Sequence, residues 1–285
     1  MSIQESIRMT RPGGADIAVV EFDLVGEKVN KLSSPVMMRL KEVVEELRTS
    51  SYKAVVLISR KPKIFIAGAD IEEIKNLTTP EAFREAVGKA HGIFNAIEDL
   101  PMPVIAAING ACLGGGCELS LACDYRVAAD NSATKIGLPE IKLGIIPGFG
   151  GCVRLPRVIG LQAALDIILA GKSVDGKKAL KIGLIDELIP EAILESRALA
   201  LAGELIAKGG KKRHKKYEPK GAMNKALESF VGKPVVFSQA KKAVLKETKG
   251  FYPAPLKALE VIKKTYGSSN RDRSLEIELV GFLEV

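Results

Sequence analysis

The stretch NGACLGGGCELSLACD, residues 109–124, places three consecutive glycines shortly before a glutamate in an apolar run of helical character. A glycine inside a packed element is less favourable than alanine by about 0.5–1 kcal/mol. Three in a row therefore indicate that another group lies very close to the backbone. A glycine turn between a strand and a helix also presents backbone N–H groups at the positive end of the helix dipole. The stretch predicts either a site for an anion or oxyanion, or very tight packing of the helix on the strand.

The spacing of these glycines narrows the choice of ligand. It fits neither the dinucleotide fingerprint G-x-G-x-x-G nor the phosphate loop GxxxxGK[ST]. A single phosphate or the developing oxygen of an enolate remains as the partner of the N–H groups at 114–116. Packing remains the alternative.

The segments around this stretch alternate between strand-like and helix-like patterns. The strand-like runs lie at 16–22, 53–59, 103–108 and 125–129, and the helix-like runs lie at 36–47, after Ser33, Ser34 and Pro35, and at 80–98. The run PVIAAI (103–108) has no polar alternation, which is typical of a strand buried on both faces. Alternation of this kind predicts an α/β fold in which helices cover a partly parallel sheet.

The character of the sequence changes after residue 190. Four segments rich in Ala, Leu and Lys predict helices, at 191–207, 221–231, 235–249 and 254–266. We therefore divide the chain into a core, residues 1–190, and a helical C-terminal region, residues 191–285. The final residues SLEIELVGFLEV form an apolar and acidic helical pattern that needs a surface to dock on. We expect that the chain is cut from a longer protein.

Composition excludes several classes of protein. With 47% hydrophobic and 27% charged residues the chain is a globular protein. It shows neither a signal peptide nor an apolar run long enough for a membrane span. The four cysteines form no CxxC pair and only two histidines are present, so we set aside zinc chemistry and nucleophilic triads. We expect reduced, buried thiols and a cytoplasmic location.

The net charge of +8 indicates an anionic partner. Nucleic acid and a phosphate-rich small ligand are the two candidates. With 5% aromatic residues and no recognition motif, the sequence disfavours base stacking and predicts no nucleic-acid partner. The basic run KKRHKK (211–216) is assigned to a solvated surface, with a phosphate site as the alternative.

Two further motifs carry residues for chemistry. In FIAGADI (65–71), small residues at 67–69 let a ligand approach the backbone, and Asp70 is placed to cap a following helix. In IGLPEIKLGIIPGFGG (136–151), Glu140 stands between Gly- and Pro-rich turns. Glu118 and Glu140 beside a backbone-donor site would suit proton transfer next to a carbonyl group. The alternative is that both are ordinary surface glutamates. A glycosidase is disfavoured because the chain has no Trp.

Taken together, three segments resemble the enoyl-CoA hydratase/isomerase (crotonase) superfamily. They are KIFIAGADI (63–71), PVIAAINGACLGGGCELSLACDYRVAA (103–129) and GLPEIKLGIIPGFGGCVRLPRVIG (137–160). The likeness is greatest to the N-terminal hydratase part of the multifunctional fatty-acid-oxidation α-subunits. The resemblance implies a crotonase-like ββα superhelix with a helical C-terminal part.

The resemblance also implies roles for single residues. The N–H groups of Ala69 and Gly115 would bind the thioester oxygen, so that all three glycines at 114–116 are explained by the approach of the ligand. Glu118 would deprotonate the attacking water, and Glu140 would deliver a proton to C2. The interval between the two glutamates is slightly longer than in single-domain hydratases. The further substrate contacts implied are Ala67, Gly68, Asp70, Ile71, Gly114 and Pro139, with Lys28 as a guess for a CoA phosphate.

The function expected from this likeness is hydration of 2-enoyl-CoA in fatty acid β-oxidation. No cofactor is implied, since coenzyme A is part of the acyl-CoA thioester substrate. An isomerase or epimerase on the same site is the nearest alternative. A polyanion- or RNA-binding module and an assembly part of a larger complex are the alternatives of a different class. The expected partners are other copies in a homotrimer or, in a full-length protein, a dehydrogenase half and a thiolase subunit.

Overall fold

The computed structural model describes residues 3–12, 16–210 and 217–285. The basic run 211–216, which the sequence assigns to a solvated surface, lies outside the described residues. The strands are β1 Ile7–Thr10, β2 Ile17–Phe22, β3 Ala54–Ser59, β4 Ile64–Ile66, β5 Val104–Ile108, β6 Ala111–Leu113, β7 Tyr125–Ala129, β8 Lys135–Gly137, β9 Ser173–Asp175 and β10 Glu187–Ile189.

The α-helices include the predicted segment over 80–98 and the predicted helices of the C-terminal third. They are α1 Ile3–Ser6, α2 Ser34–Thr49, α3 Ile71–Asn76, α4 Pro80–Glu98, α5 Gly115–Ala122, α6 Gly151–Ile159, α7 Leu161–Leu169, α8 Gly176–Ile182, α9 Leu194–Ala207, α10 Gly221–Leu227, α11 Gly232–Thr248, α12 Pro253–Thr265 and α13 Arg271–Leu283. Two short 3-10 helices, Glu140–Leu143 and Glu191–Ile193, complete the described elements.

The strands form two sheets, and the chain alternates between them. The six-stranded sheet has the order β1-β2-β3-β5-β7-β10, in which only the edge strand β1 is antiparallel. The four-stranded sheet has the order β4-β6-β8-β9, in which β9 is antiparallel. Each of the pairs β3-β4, β5-β6 and β7-β8 places one strand in each sheet before the chain turns into a helix. The repeat is therefore strand, strand, helix.

The central strands of the six-stranded sheet are buried on both faces. Along β5, Val104, Ala106 and Ile108 point into the main core, whereas Ile105 and Ala107 point to a second cluster. Helix α9 covers that second cluster with apolar residues at helical spacing, which are Leu194, Ala198, Leu201, Ala202 and Leu205. Because neither face meets water, the strand needs no polar alternation, as predicted for 103–108.

Helix α2 shows how far the local sequence decides the structure. Its apolar stripe is buried at each position that the spacing predicts, namely Val36, Leu40, Val43, Val44 and Leu47. Pro35 lies in the first turn, where a missing N–H is tolerated. Ser33 is the N-cap residue, but its side chain makes no capping hydrogen bond. The backbone N–H and hydroxyl of Ser34 instead donate to Glu73, both at 2.7 Å.

The apolar end of the chain docks on the core. Leu275, Leu279 and Phe282 of α13 are buried, and α13 packs on α12, α4 and α6. The main core contains residues from both sides of residue 190, so the C-terminal helices complete the core of the preceding part. The boundary at 190 stays a prediction.

Two other sequence expectations bear on the structure. All four cysteines are free and buried, as expected. Every helix in the described part of the chain is too short or too polar to cross a lipid bilayer.

Candidate active site

The three glycines lie in the turn from β6 to α5, which we name the GGG turn (residues 114–116). Gly114 has φ +52° and ψ −128°, a backbone conformation that residues with a side chain rarely adopt. Its N–H donates to the carbonyl of Gly137 at 2.9 Å. The helix that follows is buried along its whole length. The turn is therefore fixed in place and aims the first N–H groups of α5 at one spot.

Each glycine of the GGG turn is required for a different reason. A methyl group on Gly116 would lie 2.4 Å from the carbonyl oxygen of Ile66, so the close approach there is that of strand β4. The expectation that a ligand explains all three glycines is wrong for Gly116, which serves packing. A methyl group on Gly115 would lie 3.4 Å from the amide nitrogen of Ala69 and 3.2 Å from the ring of Phe149.

The amides of Gly115 and Ala69 thus face the same small space. Neither N–H donates a hydrogen bond to any residue in the described part of the chain. Since backbone N–H groups away from water are nearly always paired, a free pair at the positive end of a buried helix is a ready site for an oxygen that carries negative charge.

Asn30 holds the segment that carries Ala69. Its buried side-chain amide donates to the carbonyls of Phe22 and Phe65 at 3.1 and 3.0 Å, and its carbonyl accepts from the N–H of Leu24 at 3.1 Å. Its own backbone carbonyl accepts from the N–H of Ala67 at 2.8 Å. No local pattern singles out Asn30, because its partners come from three separate segments, which are residues 22–24, Ser59 and residues 65–67.

The remaining residues of the AGAD motif are placed as follows. Gly68 is buried at φ +128°, and Ala67 and Ile71 are exposed. Asp70 caps α3 by accepting from the N–H of Glu72 at 3.0 Å, as predicted, and forms an ion pair with Lys31 at 3.0 Å. The predicted contacts of these residues with a substrate stay predictions.

Glu118 projects from α5 and is 2% exposed. Its Oε1 accepts hydrogen bonds from the backbone N–H groups of Phe149 and Gly151, both at 2.8 Å. These donors belong to residues 148–151, which we name the GFGG turn. A methyl group on Gly151 would lie 2.9 Å from Oε1 and 2.7 Å from the side chain of Pro147. Glycine at 151 therefore lets the backbone reach the carboxylate.

Glu140 begins a 3-10 helix directly after Pro139, rather than lying in a loop as expected. The helix ends at Leu143 and is followed by the C-cap residue Gly144, which has φ +85°. A methyl group on Gly114 would lie 3.1 Å from Oε1 of Glu140, so this carboxyl lies against the GGG turn. Its Oε2 is buried, and no residue in the described part of the chain donates a hydrogen bond to it. An unpaired buried oxygen of this kind is costly unless the carboxyl is neutral or meets a ligand.

The surroundings raise the pKa of both carboxyls. Burial raises the pKa of Glu140 to about 8, and the charge of Glu278 acts in the same direction. Burial also raises the pKa of Glu118, as do Glu140 and Glu278, while the N–H groups of Gly151 and Phe149 oppose the rise. Two such carboxyls cannot both ionise freely, so at neutral pH the pair retains a proton.

A third buried carboxylate, Glu278 of α13, was not expected from the sequence. Its Oε1 accepts from the N–H of Gly150 at 2.6 Å and lies 3.3 Å from Nε2 of His91, and its Oε2 accepts from the N–H of Val153 at 3.2 Å. The structure thus assigns His91, which had no predicted role, to the surroundings of the site. Lys28 is exposed on the loop before α2.

A large cavity lies elsewhere in the molecule. Its volume is about 890 Å³ and its lining includes Arg154, Arg157 and Tyr266, but neither of the two candidate glutamates. We locate the candidate active site at the two turns because buried carboxyls and free N–H groups converge there.

Comparison with known proteins identifies the family of the chain. A family model described as enoyl-CoA hydratase/isomerase matches residues 13–244. A protein from Shewanella halifaxensis named fatty acid oxidation complex subunit alpha is 40% identical over 289 aligned residues, covering 100% of this chain and 39% of that protein. Its namesake from Shewanella loihica is 44% identical, covering 87% of this chain and 35% of that protein. The chain thus spans less than two fifths of the length of these relatives.

Solved structures show the same fold. An enoyl-CoA hydratase from Bacillus anthracis superposes with a TM-score of 0.66 at 30% identity, covering 91% of this chain and 96% of that one. An enoyl-CoA hydratase/carnithine racemase from Magnetospirillum magneticum gives 0.66 at 28% identity, covering 86% and 87%. The crotonase-like fold predicted from the sequence is confirmed. The chain belongs to the enoyl-CoA hydratase/isomerase family.

Proposed function

We propose that this chain is a 2-enoyl-CoA hydratase, which adds water across the C2=C3 bond of a trans-2-enoyl-CoA to give a 3-hydroxyacyl-CoA. The observation that carries the proposal is the pair formed by the buried carboxyl of Glu118 and the carboxyl of Glu140, whose Oε2 is buried, beside two N–H groups without an acceptor in the described part of the chain. Hydration needs a base for water, an acid for C2 and donors for the thioester oxygen, and this site offers all three.

The N–H groups of Ala69 and Gly115 would bind the thioester oxygen. When water attacks C3, negative charge moves to that oxygen and an enolate develops. Two preorganised donors stabilise the enolate more than the neutral thioester, because hydrogen bonds to a charged acceptor are stronger. The buried N-terminus of α5 adds its positive end.

The two glutamates would take different protonation states. Glu118 receives two backbone hydrogen bonds on Oε1, which favour its ionised form, whereas Oε2 of Glu140 receives none from the described residues. The proton that the pair retains therefore resides on Glu140, and Glu118 is ionised. Glu118 then accepts a proton from the water molecule while the water oxygen bonds to C3. Glu140 gives its proton to C2. Once the proton on Glu118 has returned to Glu140 by way of water, both glutamates are restored and the net change is the addition of one water molecule.

The substrate class follows from the relatives and from charge. The relatives are named as subunits of a fatty acid oxidation complex, which supports an acyl chain derived from a fatty acid. Coenzyme A carries phosphates, and the net charge of +8 suits an anionic substrate. No cofactor takes part in the proposed chemistry, since each proton comes from a glutamate or from water.

Hydration of crotonyl-CoA tests the proposal, followed by the loss of absorbance of the conjugated thioester. We expect the wild-type protein to be active. The variants Glu118→Gln and Glu140→Gln should each lower kcat about 10²–10⁴-fold. If Glu118→Gln is harmless and Glu140→Gln is inactive on a 3-enoyl-CoA, the protein is an isomerase. A folded wild-type protein that is inert on short, medium and long enoyl-CoAs would refute the proposal.

A further inference from the structure

The turn that leads into α6 donates hydrogen bonds to two carboxylates that lie far apart in the sequence, Glu118 and Glu278. Within residues 149–153, two N–H groups bind Glu118, and the N–H groups of Gly150 and Val153 bind Glu278 at 2.6 and 3.2 Å. The donors to the two carboxylates alternate along the turn. A displacement of the turn away from Glu278 would therefore move the donors that hold Glu118.

Glu278 is built into this position. Its side chain is fully buried, and His91 of α4 approaches Oε1 at 3.3 Å. Residues on either side of it on α13 are also in close contact with the GFGG turn. A methyl group on Gly148 would lie 2.8 Å from the ring of Phe282, and one on Gly150 would lie 3.3 Å from Leu275.

Burial of a carboxylate is unfavourable because the charge loses its contact with water. Substitution of buried charged groups by apolar residues of similar volume is often neutral or stabilising. Here the carboxylate lies on the apolar face of α13, between Leu275 and Phe282, where a hydrophobic residue would pack. What it contributes, and a hydrophobic residue could not, is acceptance of the N–H groups of Gly150 and Val153.

We propose that Glu278 is a positioning residue of the active site, which fixes residues 149–153 and through them the orientation of the Glu118 carboxylate. The C-terminal helix thereby completes the site within the same chain. The proposal rests on the hydratase function inferred above, because it gives Glu278 a role in catalysis through Glu118.

The charge of Glu278 also acts on both candidate catalytic groups. It raises the pKa of Glu118, for which burial is the larger cause, and likewise that of Glu140. Among the described residues, the other charged or titratable groups that interact with Glu278 include His91, Cys152 and Arg157. Removal of the negative charge is therefore expected to shift the ionisation of the glutamate pair to lower pH.

The test compares Glu278→Gln and Glu278→Asp with Glu276→Gln. Glu276 lies on the same helix but is exposed and pairs only with Arg84 among the described residues, so the control makes the same chemical change outside the site. For Glu278→Gln we expect kcat for crotonyl-CoA to fall about 10- to 100-fold, as for a small misplacement of a catalytic group. KM should change less than about threefold, since the contacts with coenzyme A are untouched.

Two further readouts separate positioning from a merely structural role. In Glu278→Gln the pH profile of kcat/KM should move to lower pH, whereas Glu278→Asp should restore the profile but not kcat, because its carboxylate is one methylene shorter. Amide hydrogen exchange of residues 149–153 should accelerate at least about tenfold in Glu278→Gln. Glu276→Gln should match the wild type in all of these measurements.

The outcomes distinguish the two proposals. If Glu118→Gln is inactive while Glu278→Gln keeps the kcat and pH profile of the wild type, the hydratase function stands and the positioning role is wrong. If the wild type hydrates no enoyl-CoA, the hydratase function is wrong, and unchanged exchange at 149–153 would then overturn the positioning role as well. Should Glu278→Gln fail to fold, Glu278→Asp decides: wild-type kcat and exchange would overturn the proposal.

Discussion

The GGG turn and the GFGG turn face each other across the candidate active site, and different parts of the chain hold them. The GGG turn is fixed by strands of the four-stranded sheet, through Ile66 of β4 and the carbonyl of Gly137 of β8. The GFGG turn is held by α13, through Glu278 and Phe282, more than 120 residues further along the chain.

The difference has a chemical counterpart. The GFGG turn supplies two hydrogen bonds to Glu118, whereas the carboxyl beside the GGG turn, Glu140, has one oxygen with no donor among the described residues. The GFGG turn stabilises the negative charge of Glu118, whereas the GGG turn contains the N–H group of Gly115, which has no acceptor among the described residues. Glu118 is thus ionised as a base, and the N–H groups of Gly115 and Ala69 are left to bind a ligand.

The largest effect that separates the two turns is expected from Gly115→Ala. The added methyl group would fill the space in front of the amide of Ala69 and touch Leu32 and Phe149, at 3.4, 3.1 and 3.2 Å. We expect kcat/KM for crotonyl-CoA to fall about 10²-fold, as when one oxyanion donor is lost. The free energy of unfolding should change by less than about 1 kcal/mol, since alanine favours a helix start more than glycine does.

Gly92→Ala serves as the matched control for this variant. Gly92 is an exposed residue of α4, and a methyl group there meets nothing within 4 Å. It should leave kcat/KM unchanged. Equal activity of Gly115→Ala and Gly92→Ala would show that the space beside Ala69 is not where the thioester oxygen binds.

A stability measurement should distinguish the two carboxyls. The pKa of Glu140 is raised to about 8 in the folded protein from 4.5 as its ordinary value. Between these pH values the unfolded chain releases a proton that the folded protein keeps, so this residue makes the protein less stable as pH rises. Glu140→Gln removes the effect, so its gain in stability over the wild type should grow from near zero at pH 4.5 to about 4 kcal/mol near pH 8.

Urea denaturation at several pH values measures this difference. Glu118→Gln should gain less than Glu140→Gln, because the Glu118 carboxylate already receives two backbone hydrogen bonds. A gain that is larger for Glu118→Gln would reverse our assignment of the proton within the pair.

The elements that the sequence predicts are those that a local pattern marks. Strand β5, helix α2 and the GGG turn are each marked by a pattern of contiguous residues, so the local sequence alone indicated them. The three-residue strands β6 and β8 depend on pairing with each other and with β4, and no local pattern marks them. Glu118, Glu140 and Ala69 were singled out by motifs that the family resemblance joined into one site.

Glu278 and His91 were missed because 187 residues separate them. A signal was nevertheless present. Within the final helical pattern, Leu275, Leu279 and Phe282 define the apolar face, and Glu278 lies on that same face at helical spacing. A single acid on an apolar stripe predicts a buried carboxylate with partners, although the sequence cannot identify those partners.

The smallest effect concerns the contact between α13 and the GFGG turn. A methyl group on Gly148 would lie 2.8 Å from Cδ2 and 3.0 Å from Cε2 of the Phe282 ring, and this ring is 8% exposed. Gly148→Ala should therefore lower the free energy of unfolding by about 1–2 kcal/mol, as overpacking does. Since the methyl group pushes on α13 rather than on the GGG turn, the effect should be relieved by making room at Phe282.

A double-mutant cycle with Phe282→Leu measures that relief. If the two residues clash as the geometry indicates, the double variant should be more stable than the sum of the single changes predicts, by about 0.5–1 kcal/mol. Gly92→Ala combined with Phe282→Leu supplies the control, in which the two changes should add. Additivity for Gly148→Ala as well would mean that α13 does not rest on the GFGG turn, and the long-range support that distinguishes this turn from the GGG turn would be lost.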